Sequence, residues 1–255
     1  MAYNRIDLKN RAKELVTTSD PKPISVGLVY LAISIVIGFL SYKLIGQSFT
    51  EDAMSRYFSY IQSGRYEYAL AYLESLEPPT SAYVINMVLN MVLSVVSAGF
   101  VIFLLNTIRN AKASFGNLFD GFGMFLKIIW LFILEGIFIS LWSLLLVIPG
   151  IVAAYRYRMA IYLLLDHPEL SALDCIRESK QMMAGHKGEL FVLDLSFIGW
   201  LLLNSIPVVG YLVQIWTIPY RGMSYALYYE TLRGADIYSR PIGGSNDRQA
   251  PPWEF

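Results

Sequence analysis

The sequence predicts an all-α protein, a polytopic transmembrane helical bundle of about six spans with amphipathic helices on both sides of the membrane. Hydrophobic residues make up 55% and charged residues only 16% of the 255 residues, whereas soluble domains are about one quarter charged. The mean hydropathy is +0.46. The apolar residues also form uncharged blocks of roughly twenty residues, the length that crosses a bilayer. These observations exclude an ordinary soluble globular domain.

Six apolar segments form one predicted membrane domain over residues 1–233. The six spans are 24–46, 82–108, 125–147, 151–165, 190–206 and 211–229. Proline and glycine favour turns and interrupt helices. We therefore expect Ile148-Pro149-Gly150 to reverse the chain after the third span and Ile206-Pro207 to separate the last two. Pro219 is expected to break the sixth.

The distribution of basic residues predicts a multi-pass protein of the cell membrane with both termini in the cytoplasm, because lysine and arginine concentrate in cytoplasmic segments. Most of the twenty basic residues fall on that side: Arg5, Lys9, Arg11, Lys13, Lys22, Arg109, Lys112, Lys127, Arg177, Lys180, Lys187, Arg233, Arg240 and Arg248. Only Lys43, Arg56 and Arg65 fall outside. The remaining three arginines lie within spans.

Three segments outside the spans are expected on the cytoplasmic side. In residues 1–20, Leu8, Ala12 and Leu15 share one helix face, so this basic helix either lies on the anionic inner leaflet or is a solvated lead that fixes topology. Residues 169–185 form a helix with a capping box at Ser171 and a stop at Gly185. Residues 234–255 are rich in glycine, proline and polar residues, which indicates a disordered tail.

The outer loop, residues 48–80, is predicted to contain two helices. Thr50 is a suitable N-cap for the first, Gly64 can end it, and the second covers 65–76 before Pro78. The helices are rich in tyrosines, which favour membrane interfaces and binding surfaces: Tyr57, Tyr60, Tyr66, Tyr68 and Tyr72. The loop is either a lid on the outer ends of the spans or a recognition surface for a small ligand or another membrane protein.

Ionisable residues inside the spans form the candidate site, because charges in hydrocarbon are costly and usually face the protein interior. The four candidates are Glu135, Arg156, Arg158 and Arg221. They could offset one another's charges, or the arginines could bind an anionic head group. A hairpin folded about Pro149 places Arg156 near Trp142, so Arg221 is the expected partner of Glu135.

The sequence contains no recognisable catalytic set, so we expect no enzyme activity. Cys175 has no histidine close by, and His167 and His186 fall at helix ends or loops. The motifs GxSxG, HExxH and GxxxxGK[ST] are absent. No metal-ligand spacing is present, so neither a metal nor a cofactor is expected. The charge is balanced, with 20 basic and 20 acidic residues, which does not favour nucleic acid as a partner.

An ordered set of motifs carries a resemblance over most of the chain. These motifs are Leu-Val-Ile-Pro-Gly at 146–150, Tyr-Arg-Met-Ala at 157–160, Asp-His-Pro at 166–168, Ser-Lys-Gln-Met-Met-Ala-Gly-His-Lys at 179–187, Leu-Phe at 190–191, Leu-Ser-Phe-Ile-Gly-Trp at 195–200, Ile-Pro-Tyr at 218–220 and Tyr-Tyr-Glu at 228–230. The chain thereby resembles the bacterial integral membrane family called domain of unknown function 975. That family is similar in layout to membrane domains that accompany some glycerophosphodiester phosphodiesterases. The resemblance implies a six-span bacterial membrane protein and no established activity.

Two classes of function remain open at this point. The first is a non-catalytic protein that binds membrane lipids or a partner in the cell envelope, favoured by the basic inner segments and the aromatic outer loop. The second is a small transporter or an export or immunity component, favoured by Glu135, the arginines and the proline in the sixth span.

Overall fold

A computed structural model of the chain describes residues 4–46, 50–206 and 208–234. Within these ranges the secondary structure is helical throughout, with no strand. The predicted disordered tail, apart from Gly234, and the predicted break at Pro207 lie outside the described residues. The all-α prediction is confirmed.

The helices follow the apolar and capping patterns of the sequence. Their bounds are α1 Arg5–Thr18, α2 Pro23–Leu44, α3 Glu51–Gln62, α4 Tyr66–Ser75, α5 Thr80–Arg109, α6 Asn117–Asp120, a 3₁₀ turn Gly121–Met124, α7 Phe125–Leu145, α8 Val147–Tyr157, α9 Ala160–Asp166, α10 Ala172–Met182, α11 Lys187–Leu195, α12 Ile198–Asn204 and α13 Val209–Leu232. The contacts between residues divide the helices into two compact units. One consists of Ala32–Leu93, and the other of the remaining described residues.

Four helical segments of the described residues are long and apolar enough to cross a membrane. They are Pro23–Leu44, Thr80–Arg109, Asn117–Leu145 and Val147–Asp166. These segments match the first four predicted spans, and they fit an integral membrane protein. The predicted fifth span is divided between α11 and α12, and the predicted sixth lies in α13. The count of six spans stays a prediction.

The reversal between α7 and α8 differs from the expected turn at Ile148-Pro149-Gly150. Leu146 is the residue that leaves the helical conformation, with φ −165° and ψ 151°, and α8 already begins at Val147. Proline is well tolerated in the first turn of a helix, since the backbone N–H groups there have no intrahelical acceptor. Pro149 therefore lies in the first turn of α8 instead of forming the reversal.

Pro219 also differs from its expected role, because α13 continues through it without ending. The proline ring packs against Gly27 of α2, where an added Cβ would lie 3.3 Å from Pro219 Cδ. The sixth predicted span is thus part of one continuous helix. Its proline lies where α13 and α2 pack closely together.

The amphipathic face of α1 is buried in the protein. Leu8, Ala12 and Leu15 are buried, while Ile6 is exposed as its position on the helix predicts. The covering partner is α13, the last helix of the described residues. The apolar face of α1 is therefore not free to enter the lipid, and the N-terminal helix is a structural part of the larger unit.

Candidate functional site

The α7–α8 hairpin brings Glu135 and Arg158 to the same level. Gly150 lies directly against Ser143, since an added Cβ would be 2.9 Å from Ser143 Cα. Eight residues further from the turn on each arm, the same register places Arg158 opposite Glu135. Arg158 is also the cation that acts electrostatically on the Glu135 carboxylate.

This arrangement replaces the expected pairing of Glu135 with Arg221. The expectation assumed a hairpin folded about Pro149, whereas the chain reverses at Leu146. The earlier reversal shifts the fourth predicted span along the third, so that an arginine of the same hairpin reaches Glu135. No ion pair joins Glu135 to Arg221 within the described residues.

Arg158 has unused hydrogen-bonding capacity. Its guanidinium carbon lies 4.8 Å from the centre of the Tyr225 ring, and the residue keeps an exposed surface. Across the described part of the chain, Arg158 makes no ion pair within 4 Å and no hydrogen bond to a protein group. A guanidinium group carries five N–H donors in a planar fork, which matches the oxygens of a phosphate or carboxylate.

Asp194 of α11 links α8 to α13 through two tyrosine hydroxyls. Tyr155 of α8 donates to one carboxylate oxygen of Asp194 at 2.9 Å, and Tyr225 of α13 donates to the other. Arg221 donates to the Tyr225 hydroxyl at 3.0 Å. Arg221 therefore supports the Asp194 carboxylate through a tyrosine, which explains why it is not directed at Glu135.

Arg156 lies apart from these residues, against Trp142. Its guanidinium carbon is 6.0 Å from the Trp142 ring centre. The sequence predicted that these two residues are close, but from a hairpin folded about Pro149, which is not the observed register. The backbone carbonyl of Arg156 accepts a hydrogen bond from Ser179 of α10 at 2.8 Å. We call Glu135, Arg158, Asp194 and Arg221, with Tyr155 and Tyr225, the polar cluster; Arg156 is not part of it.

A second group of charges, which the sequence analysis did not identify, lies at the ends of α5, α9 and α13. Arg109 forms two hydrogen bonds with Asp166, at 2.7 and 2.8 Å, and its Nε donates to Glu230 at 2.7 Å. Arg233 also contacts Asp166 at 2.7 Å, and Tyr229 donates to the same carboxylate at 2.7 Å. We call these five residues the inner clamp.

The inner clamp connects parts of the chain that are far apart in sequence, and its polar groups use one another as partners. Asp166 and Glu230 are only 6% and 2% exposed. The available signal was that both belong to motifs of the family resemblance, at 166–168 and 228–230. Each residue on its own looks like an ordinary charge at the end of a helix, so the sequence alone did not reveal their association.

The remaining candidates for chemistry have structural surroundings. Cys175 is fully buried, and burial raises the pKa of its thiol to about 11, so the thiol is protonated and a weak nucleophile. His167 contacts Glu169 at 3.1 Å and His186 contacts Glu189 at 2.8 Å. Within the described ranges, no group of three His, Cys, Asp or Glu side chains is arranged to hold a metal ion.

The outer loop forms the two predicted helices, α3 and α4. The Thr50 hydroxyl accepts from the Ala53 amide at 3.3 Å, as expected of an N-cap, and Gly64 has a positive φ of 72°. The ring centres of Tyr60 and Tyr68 are 6.4 Å apart. A binding role for this surface stays a prediction.

Comparison with known proteins shows a similarity to one family over part of the chain and supplies no activity. A family model described as "Protein of unknown function (DUF975)" matches residues 144–236. Comparisons with curated proteins and with solved structures gave no match. The matched segment contains Arg156, Arg158, Asp194 and Arg221, whereas Glu135 precedes it. The similarity in layout to glycerophosphodiester phosphodiesterase membrane domains stays a prediction. Residues 144–236 of this chain are thus similar to the DUF975 family, whose function is unknown.

Proposed function

We propose that this integral membrane protein binds the head group of an anionic lipid at the polar cluster and catalyses no reaction. The observation that carries the proposal is the guanidinium of Arg158, which makes no hydrogen bond or ion pair to the described residues although the residue keeps exposed surface. In addition, the buried Nε of Arg221 has no acceptor in the part of the chain that the structure describes. Lipid phosphates suit such donors because arginine binds their oxygens in a two-pronged geometry.

The surroundings of the cluster support a binding role. Tyr155, Tyr225 and Asp194 fix one another through hydrogen bonds, so the rings next to Arg158 are held in place before any ligand binds. A preorganised site loses less conformational entropy on binding. The absence of a recognisable catalytic set in the sequence and the inert surroundings of Cys175 support a non-catalytic role. The basic cytoplasmic segments support a location in the cell membrane with both termini inside.

The proposal is tested by lipid-dependent stabilisation of the purified protein. We expect phosphatidylglycerol to raise the melting temperature more than phosphatidylcholine does, and we expect Arg158→Gln to reduce this difference. The matched control is Arg177→Gln, because Arg177 is exposed on α10 and pairs only within its own helix, with Asp174 at 2.9 Å. Equal stabilisation by the two lipids, or an equal loss in both variants, would contradict the proposal.

One observation favours the alternative of transport. Glu135 lies opposite Arg158, yet it forms no ion pair or hydrogen bond within the described residues. A membrane carboxylate that is close to a cation but not bound to it can exchange a proton. Proton uptake into proteoliposomes that depends on Glu135 and is lost in Glu135→Gln would favour the transporter. A head-group site predicts that this variant keeps the phosphatidylglycerol effect.

A further inference from the structure

In each of the two hairpins of the larger unit, the part that extends beyond a neighbouring charged helix is too short to cross a bilayer. The first consists of α7 and α8, and the second of α12 and α13. Beside each hairpin lies a helix with an exposed charged face, α10 for the first and α1 for the second. Because a charged face must be in contact with water, the position of that helix shows where the hydrocarbon region begins along the hairpin.

Helix α10 shows where the hydrocarbon region begins along the first hairpin. The Ser179 hydroxyl donates to the carbonyl oxygen of Arg156 at 2.8 Å and accepts from the Met159 amide at 3.1 Å. On the opposite face of α10, Arg177 and Glu178 are exposed. Exposed carboxylates and guanidinium groups are not stable in hydrocarbon, so the hydrocarbon region begins beyond Arg156.

The arm beyond this level has half the length of a span. Residues 147–156 of α8 rise about 15 Å at 1.5 Å per residue, whereas the hydrocarbon core is about 30 Å thick. The tip of the hairpin therefore reaches the middle of the bilayer.

Helix α1 shows in the same way where the hydrocarbon region begins along the second hairpin. Lys9 of α1 donates to the Ser196 hydroxyl at 3.1 Å, and its amino group lies 4.5 Å from the Phe197 ring centre and 5.8 Å from that of Tyr220. The other face of α1 exposes Lys13 and Glu14. Beyond Tyr220, residues 209–219 of α13 extend about 16 Å, and α12 is shorter still.

The composition of the first tip agrees with a hydrocarbon environment. Residues 144–152 contain no charged or hydrogen-bonding side chain, and Leu144, Val147 and Ile148 are 86%, 72% and 74% exposed. A hairpin that emerged into water would end in polar or interfacial aromatic residues. In hydrocarbon, backbone N–H and C=O groups must also find their hydrogen-bond partners within the protein. Only Leu146 leaves the helical conformation here, and Pro149 removes one N–H from the first turn of α8.

We propose that both hairpins enter the membrane from the side of α1 and α10, reach its middle and return without crossing. Their partner is the acyl-chain region of one leaflet. The hydrogen bonds of Asp194 to Tyr155 and Tyr225 join the two bases, so the hairpins insert to a common depth. This arrangement replaces the last four predicted spans and keeps residues 169–185 on the same side as the N-terminus.

The experiment measures the depth of the first tip in the full-length protein. A cysteine at Val147 or, in a second variant, at Ile148 is labelled with a bimane fluorophore. The protein is then reconstituted in phosphatidylcholine vesicles that contain lipids brominated at different acyl positions. We expect the strongest quenching from bromine near the chain ends and no labelling of intact cells by an impermeant maleimide. A Ser63→Cys variant is the control for outer exposure.

Two results would overturn the inference. Labelling of position 147 or 148 by the impermeant maleimide from outside would show that the hairpin crosses. Strongest quenching by bromine next to the head groups would show that the tip lies at an interface. Two neighbouring positions are used so that a folding defect in one variant leaves the other informative, and the melting temperature of each is compared with that of the unaltered protein.

Discussion

Arg109 is the residue on which the inner clamp depends. It bonds to Asp166 and Glu230, both of which are buried, and Arg233 shares part of this role. Arg109→Ala leaves two buried carboxylates without their main partner, and we expect a loss of about 3–5 kcal/mol in the free energy of unfolding. Arg109→Lys keeps the charge without the planar fork, so its loss is expected to be smaller.

The measurement is chemical unfolding in detergent, with Arg177→Ala as the control. Arg177 is an exposed arginine paired only with Asp174 of its own helix, and such surface pairs contribute less than about 1 kcal/mol. If Arg109→Ala and Arg177→Ala are equally stable, the inner clamp does not stabilise the fold.

A second prediction at the residue scale concerns the partner of Glu135. We expect the stability losses of Glu135→Gln and Arg158→Gln to be non-additive, because Arg158 acts on the Glu135 carboxylate. The losses of Glu135→Gln and Arg221→Gln are expected to add, because Arg221 is engaged with Tyr225. Two double-mutant cycles by thermal unfolding measure both coupling free energies, and interacting pairs differ from additivity by about 0.5–3 kcal/mol. Stronger coupling to Arg221 would contradict the register of the hairpin.

The sequence was sufficient to identify the charged residues of the spans but not their pairing. Glu135, Arg156, Arg158 and Arg221 stand out because any charge in an apolar segment does. The partner of Glu135 depends on where the chain reverses, and a turn placed about three residues too late shifts the opposite position by about five or six residues. That shift exceeds one helical turn of 3.6 residues, so a small error in the turn selects a different partner.

At the scale of helices, the close packing of α5 against α6 depends on Gly99. An added Cβ would lie 2.1 Å from the carbonyl oxygen of Leu118 and 2.5 Å from its carbonyl carbon. These are backbone atoms that cannot turn aside, so we expect Gly99→Ala to destabilise the protein by about 1–3 kcal/mol. The measurement is the melting temperature in detergent.

Gly136→Ala is the matched control for this prediction. Gly136 also lies within a long apolar helix, and an added Cβ would meet nothing within 4 Å. Alanine has the higher helix propensity, so this variant is expected to be neutral or slightly more stable. A similar loss in both variants would indicate a general effect of altering a span glycine and not the contact with Leu118.

Helix ends were predictable where their signals are local. The Ser171 hydroxyl accepts from the Asp174 amide at 3.2 Å, and Gly185 has a φ of 85°, as its position predicts. Both features depend on residues within a few positions of each other. Pro149 and Pro219 were assigned breaks that they do not make, because a proline also fits a first turn or a close helix contact. Which role applies is determined by the neighbouring helix, which a local pattern does not reveal.

At the scale of the whole molecule, the distribution of basic residues predicts which side of the membrane each loop occupies. A single cysteine at Ser63 is expected to react with an impermeant maleimide applied to intact cells, and one at Ser114 only after permeabilisation. The unaltered protein is the control and should label little, since Cys175 is buried and its pKa is raised to about 11. Labelling of position 114 in intact cells would reverse the orientation.

Composition was sufficient to predict a helical membrane protein, but not the packing of the first described helix against the last. Apolar blocks of span length are sufficient to predict a helical membrane protein, because nothing else accommodates them. The docking of α1 on α13 joins the two ends of the described chain. Its apolar stripe of Leu8, Ala12 and Leu15 is equally suited to a lipid surface or to a protein helix, so the sequence alone could not identify its partner.

The contact between α1 and α13 has a consequence for biosynthesis. A ribosome synthesises the chain from its N-terminus, so Leu8, Ala12 and Leu15 are made well before α13, the helix that covers them. Arg109 is likewise synthesised well before Glu230, one of its two carboxylate partners. A nascent or truncated chain that ends before residue 209 exposes an apolar stripe and an incompletely paired arginine, both of which are features of unassembled proteins. The packing of α1 is therefore complete only once α13 has been made, and a stop codon just before residue 209 is expected to be as damaging as an earlier one.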